Sequence, residues 1–166
     1  MKLENRKKFI YCSLTITIIF FLDRFSKIYV LSLAKINGSV DFFLTEYLNI
    51  YLVWNEGIAF GLLSFGQSNI YMMITGLITA ISIVVLLLVI KTNDIRFYFY
   101  SFIFAGATGN LFDRLYYSAV PDFIDLHINN YHWFIFNVAD IFITIGVLCL
   151  ILVELIFYKF LDNEKK

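Results

Sequence analysis

Four long apolar runs dominate the pattern of hydrophobic and polar positions along the chain. They cover about residues 9–31, 70–90, 97–114 and 136–160. Each has close to, or more than, the roughly 20 residues that a helix needs to cross about 30 Å of hydrocarbon. The run at 70–90 contains no charged residue, whereas the run at 9–31 is charged in its last third. The pattern therefore predicts an all-α membrane protein with four transmembrane helices.

A different pattern, with a period of two, lies between the first two runs. Apolar and mostly polar residues alternate over Leu48–Asn55, and Gly57 and Gly61 then interrupt the alternation. A period of two is typical of a strand. Together with the apolar residues at 40–44, it predicts a small β-sheet, a cradle on the outer membrane surface, within about residues 39–65.

Composition agrees with extensive contact with lipid. Hydrophobic residues make up 60% of the 166 residues and charged residues 16%, whereas soluble chains have roughly 45–50% apolar and about 25% charged residues. A chain of this size is expected to form one domain, residues 1–166, and it could not bury so much apolar surface internally. The formal net charge of zero gives no reason to expect a nucleic-acid partner.

Lysine and arginine in the short connections predict the orientation in the membrane. Most of them lie near the two termini and at 91–96, and positive charge is retained on the cytoplasmic side. Both termini should therefore be cytoplasmic, with the segments 32–69 and 115–135 outside. The second of these segments is expected to be a loop whose aromatic residues lie at the membrane interface.

Ionisable residues cluster at one level of the predicted bundle. An ionisable side chain inside a span carries an insertion penalty of at least about 2.5 kcal/mol, so each such residue suggests a function. The cluster falls in the outer half of the membrane and consists of Asp23, Lys27, Asp113, Arg114, Asp122, Asp125 and Asp140.

Asp140 is the most informative member of this cluster. It lies at the start of the last apolar run, and Asn137, three residues earlier, can cap that helix. Two neighbouring carboxyl groups that share one proton can activate a water molecule without a metal ion. The candidates for the second acid are Asp113, Asp122 and Asp125, and spacing does not choose between them.

Metal-dependent chemistry has little support in the sequence. His127 and His132 are the only histidines, and neither lies in a zinc-binding pattern. We therefore expect no metal and no organic cofactor.

The alternative function is a non-enzymatic carrier coupled to protons or ions. A carrier should place acids along a path through the whole bilayer. The second predicted helix has none, and the cytoplasmic half has only Glu154. One-sided clustering favours chemistry at the outer surface.

Five sequence blocks, in order, resemble the lipoprotein signal peptidase (signal peptidase II) family over nearly the whole chain. They are Asp-Arg-Phe-Ser-Lys at 23–27, Asn-Glu-Gly-Ile-Ala-Phe-Gly at 55–61, Gly-Asn-Leu-Phe-Asp-Arg at 109–114, Val-Pro-Asp-Phe-Ile-Asp at 120–125 and Phe-Asn-Val-Ala-Asp at 136–140. This resemblance implies an intramembrane aspartic peptidase whose catalytic residues are Asp122 and Asp140.

The resemblance also implies roles for other residues. Asp113 would be structural and could pair with Arg114, and Asp23 with Lys27 would form an ion pair that fixes the first helix. Supporting or substrate-binding roles are implied for Asn55, Gly57, Asn110, Arg114, Asn137 and Ala139.

The substrate that the resemblance implies is a prolipoprotein whose acceptor cysteine already carries a diacylglyceryl group. The enzyme would cut before that cysteine, close to the outer face of the bacterial cytoplasmic (inner) membrane. Membrane lipids are the other expected partners, and a monomer is expected.

Overall fold

The computed structural model describes residues 3–57, 67–129 and 131–163. The described elements are, in chain order, α1 (Leu3–Asn37), β1 (Asp41–Thr45), β2 (Leu48–Asn55), α2 (Gln67–Lys91), α3 (Arg96–Tyr117), β3 (Val120–Ile128), β4 (Tyr131–Phe136) and α4 (Val138–Asn163).

Three of the helices are long and apolar enough to cross a membrane. The qualifying stretches are Arg6–Asn37 of α1, Tyr71–Lys91 of α2 and Val138–Ile156 of α4. α3 has 22 residues, but Asn110 and the charged pair that follows it lower its hydropathy, so length and composition alone do not identify it as a span. The prediction of a mostly helical membrane protein is confirmed.

The first helix is longer than its apolar run. α1 has 35 residues, which corresponds to about 52 Å at 1.5 Å per residue, whereas the apolar pattern covers only about residues 9–31. Helical hydrogen bonding continues into the polar residues at both ends of the run, because backbone geometry and not hydropathy decides where a helix ends. The end of α1 therefore reaches the level of the sheet.

The strands form one antiparallel sheet in the order β1-β2-β3-β4. The predicted strands within 39–65 are confirmed, although residues 58–65 of that range lie outside the described residues. The prediction that the sheet is confined to the first outer segment is wrong, because β3 and β4 come from the segment 115–135, which was expected to be a loop. The aromatic residues of β4 pair with β3 in addition to lying at the surface.

The two faces of the sheet carry different chemistry. One row of paired residues across the sheet is apolar and contains Phe42, Ile50, Ile124 and Phe136. In β3, Asp122 precedes Ile124 by two residues and shares its face, because side chains in a strand alternate between faces. The sheet thus places one carboxyl group on its apolar face.

Glycines allow α3 to lie against its neighbours. A Cβ at Gly106 would collide with the carbonyl oxygen of Ala139, and a Cβ at Gly109 would lie 2.7 Å from Oδ2 of Asp23. Ala105 and Ala139 are fully buried at the same level. Backbone contact of this kind is how helices associate inside membranes, where apolar side chains gain little by leaving lipid.

We predict that Gly106→Ala lowers stability by about 1–3 kcal/mol, because the added methyl must displace the backbone of α4. The matched control is Gly76→Ala in α2, where a Cβ would meet nothing within 4 Å. Thermal unfolding in one detergent compares the two variants. Equal melting temperatures would contradict the close contact of α3 with α4.

Candidate active site

A buried cluster of two acids and two bases joins α1 to α3. Nη1 of Arg24 lies 2.5 Å from Oδ1 of Asp113, and Nη2 donates to Oδ2 at 2.7 Å. Arg24 also contacts Asp23 at 3.1 Å, and Lys27 binds both acids. The four side chains are at most 8% exposed. Positive and negative charges are equal in number, so the cluster as a whole is neutral.

Lys27 uses every proton of its ammonium group. Nζ donates to Asp23 at 2.9 Å, to Asp113 at 2.7 Å and to Oδ1 of Asn110 at 2.9 Å. An ammonium group has three donors and no acceptor, so its hydrogen-bonding capacity is fully satisfied in a position with no exposure to solvent. The ion pair that the sequence predicts between Asp23 and Lys27 is present.

The partner expected for Asp113 is wrong. Asp113 binds Arg24 and Lys27 of α1 instead of Arg114, because adjacent side chains on a helix point about 100° apart. Arg114 faces α2, where its guanidinium lies 5.8 Å from the ring centre of Tyr71. The importance of Arg24 was missed, although an arginine within an apolar run was a signal that it has buried partners.

Asp23 also holds the beginning of α4. Its Oδ1 accepts a hydrogen bond of 3.0 Å from the backbone N–H of Ala139. The first N–H groups of a helix have no partner within the helix, so a carboxylate from α1 satisfies one of them. The ion cluster therefore positions three helices, α1, α3 and α4.

Asn137 is the N-cap of α4 and forms a reciprocal cap with Asp140. Oδ1 of Asn137 accepts from the backbone N–H of Asp140 at 3.1 Å, and Oδ2 of Asp140 accepts from the backbone N–H of Asn137 at 3.1 Å. This is the geometry of a capping box, with aspartate in the position that glutamate usually takes. The cap predicted from the spacing is present, and it fixes the orientation of both side chains.

The same Asn137 reaches the sheet. Its Nδ2 donates to Oδ1 of Asp122 at 2.6 Å, while Nδ2 of Asn55 donates to Oδ2 at 2.8 Å. Asn55 is itself held in place, because its Oδ1 accepts from the backbone N–H of Gly57 at 2.8 Å. Gly57 has φ +85°, a conformation that glycine adopts without strain. Both oxygens of Asp122 are therefore bound by asparagine amides.

Asn110 connects the ion cluster to Asp140. Its Nδ2 donates to Oδ1 of Asp140 at 2.8 Å, and its Oδ1 accepts from Lys27. The side-chain amide of Asn110 is therefore held by Lys27 at one end and orients the carboxylate of Asp140 at the other. A hydrogen-bonded path runs from Lys27 through Asn110, Asp140 and Asn137 to Asp122.

Asp122 and Asp140 lie on either side of Asn137, one in a strand and one in a helix. Asp122 is only 3% exposed, and burial raises its pKa to about 6, although the donors Asn55 and Asn137 oppose that shift. The negative charge of Asp140 also raises the pKa of Asp122. The two carboxyl groups are thus linked through a single residue, Asn137.

The other acids considered as partners for Asp140 lie elsewhere. Asp113 is occupied by two cations, as described above. Asp125 leaves β3 on the face opposite Asp122, since the two are three residues apart, and its Oδ2 lies 2.7 Å from Nδ1 of His132. In the described ranges, no three histidine, cysteine or acidic side chains are arranged to hold a metal ion.

We predict that Lys27→Met destabilises the protein by about 3–5 kcal/mol, because it leaves two buried carboxylates with one cation. The control is Glu154→Gln, which removes an exposed contact of 2.7 Å with Arg96 and should leave stability nearly unchanged. Thermal unfolding of both variants in one detergent provides the measurement. A similar small effect for the two would argue against a structural role of the buried cluster.

Comparison with known proteins agrees with these features. A family model described as signal peptidase (SPase) II matches residues 15–157. The lipoprotein signal peptidase of Pelagibacter ubique (strain HTCC1062) is 52% identical over 161 residues, 97% of either chain. That of Anaplasma phagocytophilum (strain HZ) is 40% identical over 152 residues, 90% of this chain and 94% of the relative.

A solved structure has the same fold. It is a bacterial membrane enzyme determined by the in meso method at 1.9 Å resolution, with a TM-score of 0.72 and 31% sequence identity. The similarity covers 87% of this chain and 92% of the other. Because the family model and both relatives match most of the sequence, the chain belongs to the signal peptidase II family.

Proposed function

We propose that the chain is a membrane-embedded aspartic endopeptidase that removes the signal peptide from diacylglyceryl-modified prolipoproteins by cutting before the lipidated cysteine. Family membership and the name of the relatives, lipoprotein signal peptidase, support the substrate. The observation that supports the chemistry best is that Asp122 and Asp140 are both hydrogen-bonded to Asn137.

In the proposed mechanism the two aspartates share one proton. The ionised carboxylate accepts a proton from a water molecule, which attacks the scissile carbonyl, and the protonated one donates to the carbonyl oxygen. The C–N bond then breaks as the first carboxyl group passes its new proton to the leaving nitrogen, and a hydroxyl of the intermediate returns a proton to the second, so that the pair again holds one proton. The burial of Asp122, which raises its pKa to about 6, favours retention of the shared proton. No metal or cofactor takes part in these steps.

The proposed topology has four spans, both termini in the cytoplasm and the dyad near the periplasmic face of the bacterial inner membrane. The distribution of lysine and arginine supports this orientation. The position of α3 supports it as the remaining span, because α3 packs against α1, α2 and α4.

The lipid on the substrate simplifies recognition. A diacylglyceryl group anchors the cysteine at the boundary between headgroups and acyl chains, and the scissile bond is then held at a fixed depth. If the dyad lies at that depth, much of the alignment comes from the membrane itself. The sequence around the cleavage site then needs few specific contacts.

We predict that Asp122→Asn and Asp140→Asn each reduce the rate of cleavage by about 10²–10⁴-fold, because each removes a proton acceptor or donor from the pair. The assay is cleavage of a lipidated prolipoprotein by purified protein in detergent. Asp41→Asn, in the exposed strand β1, is the matched control and should retain activity.

Either dyad variant that stays active would remove its aspartate from the proposed role. Failure of the unmodified protein to cleave the substrate, together with proton- or ion-dependent transport in vesicles, would favour the carrier.

We predict that Asn55→Ala moves the basic limb of the pH–activity profile to higher pH. The hydrogen bond from Asn55 lowers the pKa of Asp122, so its loss raises that pKa, and the shared proton is then lost at higher pH. The measurement is kcat/KM across the pH range. The control is Asn37→Ala, at the exposed end of α1, which should leave the profile in place; a basic limb that stays fixed or falls in Asn55→Ala contradicts the assignment.

A further inference from the structure

An apolar groove of about 440 Å³ opens between the sheet and α4. Its upper wall is formed by Leu126 of β3 and by Phe134 and Phe136 of β4. Leu126 and Asp122 are four residues apart in β3, so they lie on the same face of the sheet. The groove therefore lies under the face that carries the candidate dyad.

The other wall of the groove belongs to α4. It consists of Asp140, Ile141, Thr144 and Ile145, which lie on one face of the helix at spacings of one, three and four residues. From Asp140 to Ile145 the helix rises about 7.5 Å. The groove thus begins at a carboxyl group of the candidate dyad and continues along α4, in the direction of the hydrocarbon core.

The lining restricts what the groove can bind. Of the described residues that line it, Asp140 and Thr144 are the two with polar side chains, and both belong to α4. A peptide backbone placed there would leave its N–H and C=O groups without partners, which is unfavourable in apolar surroundings. Water would find few hydrogen-bonding partners along this lining. A flexible hydrocarbon chain has none of these difficulties.

We propose that this groove seats one acyl chain of the substrate's own lipid group. The inference rests on the proposed function, because it places the lipidated cysteine beside the dyad. The cysteine adjoins the scissile bond, so a chain that starts there begins at Asp140, where the groove begins. A membrane phospholipid in the same position would place its headgroup over the dyad, in the space that the substrate needs.

The groove acts by alignment more than by affinity. An acyl chain that moves from lipid into an apolar groove leaves one hydrocarbon environment for another, so it gains little from the hydrophobic effect. A seated chain does, however, fix the direction in which the cysteine projects. Misplacement of a reacting group by about 1 Å can lower the rate by about 10²-fold.

The first test fills the groove and varies the lipid. Thr144→Phe places a ring in the groove, and Leu77→Phe is the control, at an exposed position of α2 that does not line it. The substrates share one peptide and carry either two palmitoyl or two butyryl chains. We expect Thr144→Phe to lower kcat/KM about tenfold for the long-chain substrate alone, and Leu77→Phe to change neither value. Equal losses on both substrates in Thr144→Phe would overturn the proposal.

The second test reads out binding without cleavage and without a change in the groove. The Asp122→Asn variant is mixed with a substrate that carries a photoreactive diazirine in one acyl chain, and cross-linked residues are mapped. We expect labelling at 141–145 of α4 in excess of labelling at 71–75 of α2, which lies at a similar distance from the start of its helix and includes the exposed Met72 and Met73. Equal labelling of the two helices would overturn the proposal.

A diazirine phospholipid separates the two sources of an acyl chain. We expect it to label both helices alike, or to be displaced from α4 by unlabelled substrate. Preferential labelling of α4 that substrate does not displace would assign the groove to bulk lipid and overturn the proposal. An unmodified protein that cleaves no prolipoprotein would refute the proposed function itself, whereas cleavage without any preference for chain length or labelling site would refute the groove alone.

Discussion

The burial of Lys27 is the constraint on which the rest of the structure depends. An ammonium group with no access to water must give all three protons to protein acceptors, and these come from Asp23, Asn110 and Asp113. α1 and α3 are therefore held at one relative height, because a shift by one turn would separate Lys27 from two of its partners. Asp23 then binds the first turn of α4. The buried cluster around Lys27 thus sets the positions of three helices, and Gly106 and Gly109 allow the close approach that its contacts require.

The balance of charge around this lysine sets the surroundings of the candidate dyad. The cluster of two acids and two bases is neutral by itself, and it takes up both cations. In the part of the chain that the structure describes, the oxygens of Asp122 and Asp140 are bound by asparagine amides and by a backbone N–H. A lysine or arginine bound directly would hold both carboxylates in the ionised form. Neutral donors orient the carboxyl groups and still allow burial to raise the pKa of Asp122.

Local pattern was sufficient for the parts of the fold that local interactions determine. The uncharged run at 70–90 predicted α2, and the period of two over Leu48–Asn55 predicted β2. The segment that contains β3 and β4 was missed although Ile124–Ile128 alternates between apolar and polar residues, because that alternation is short and the pairing that stabilises it is non-local, with Asn55 opposite Val120. The site shows the same limit: spacing placed the acids at one level, but the choice between Asp122 and Asp125 depends on which face of a strand each occupies. The resemblance to a family, and not spacing, pointed to Asp122.

Asn137, at the junction between β4 and α4, fixes the relative positions of Asp122 and Asp140. β4 ends at Phe136 and α4 begins at Val138, so the residue between them belongs to both the sheet and the bundle. Its Oδ1 is committed to the helix cap and its Nδ2 to Asp122, and a rotation that improved one bond would break the other. The sheet cannot slide across α4 without the loss of that pair of bonds. The position of the candidate dyad is consequently fixed by the start of α4, which Asp23 holds through a hydrogen bond from the backbone N–H of Ala139.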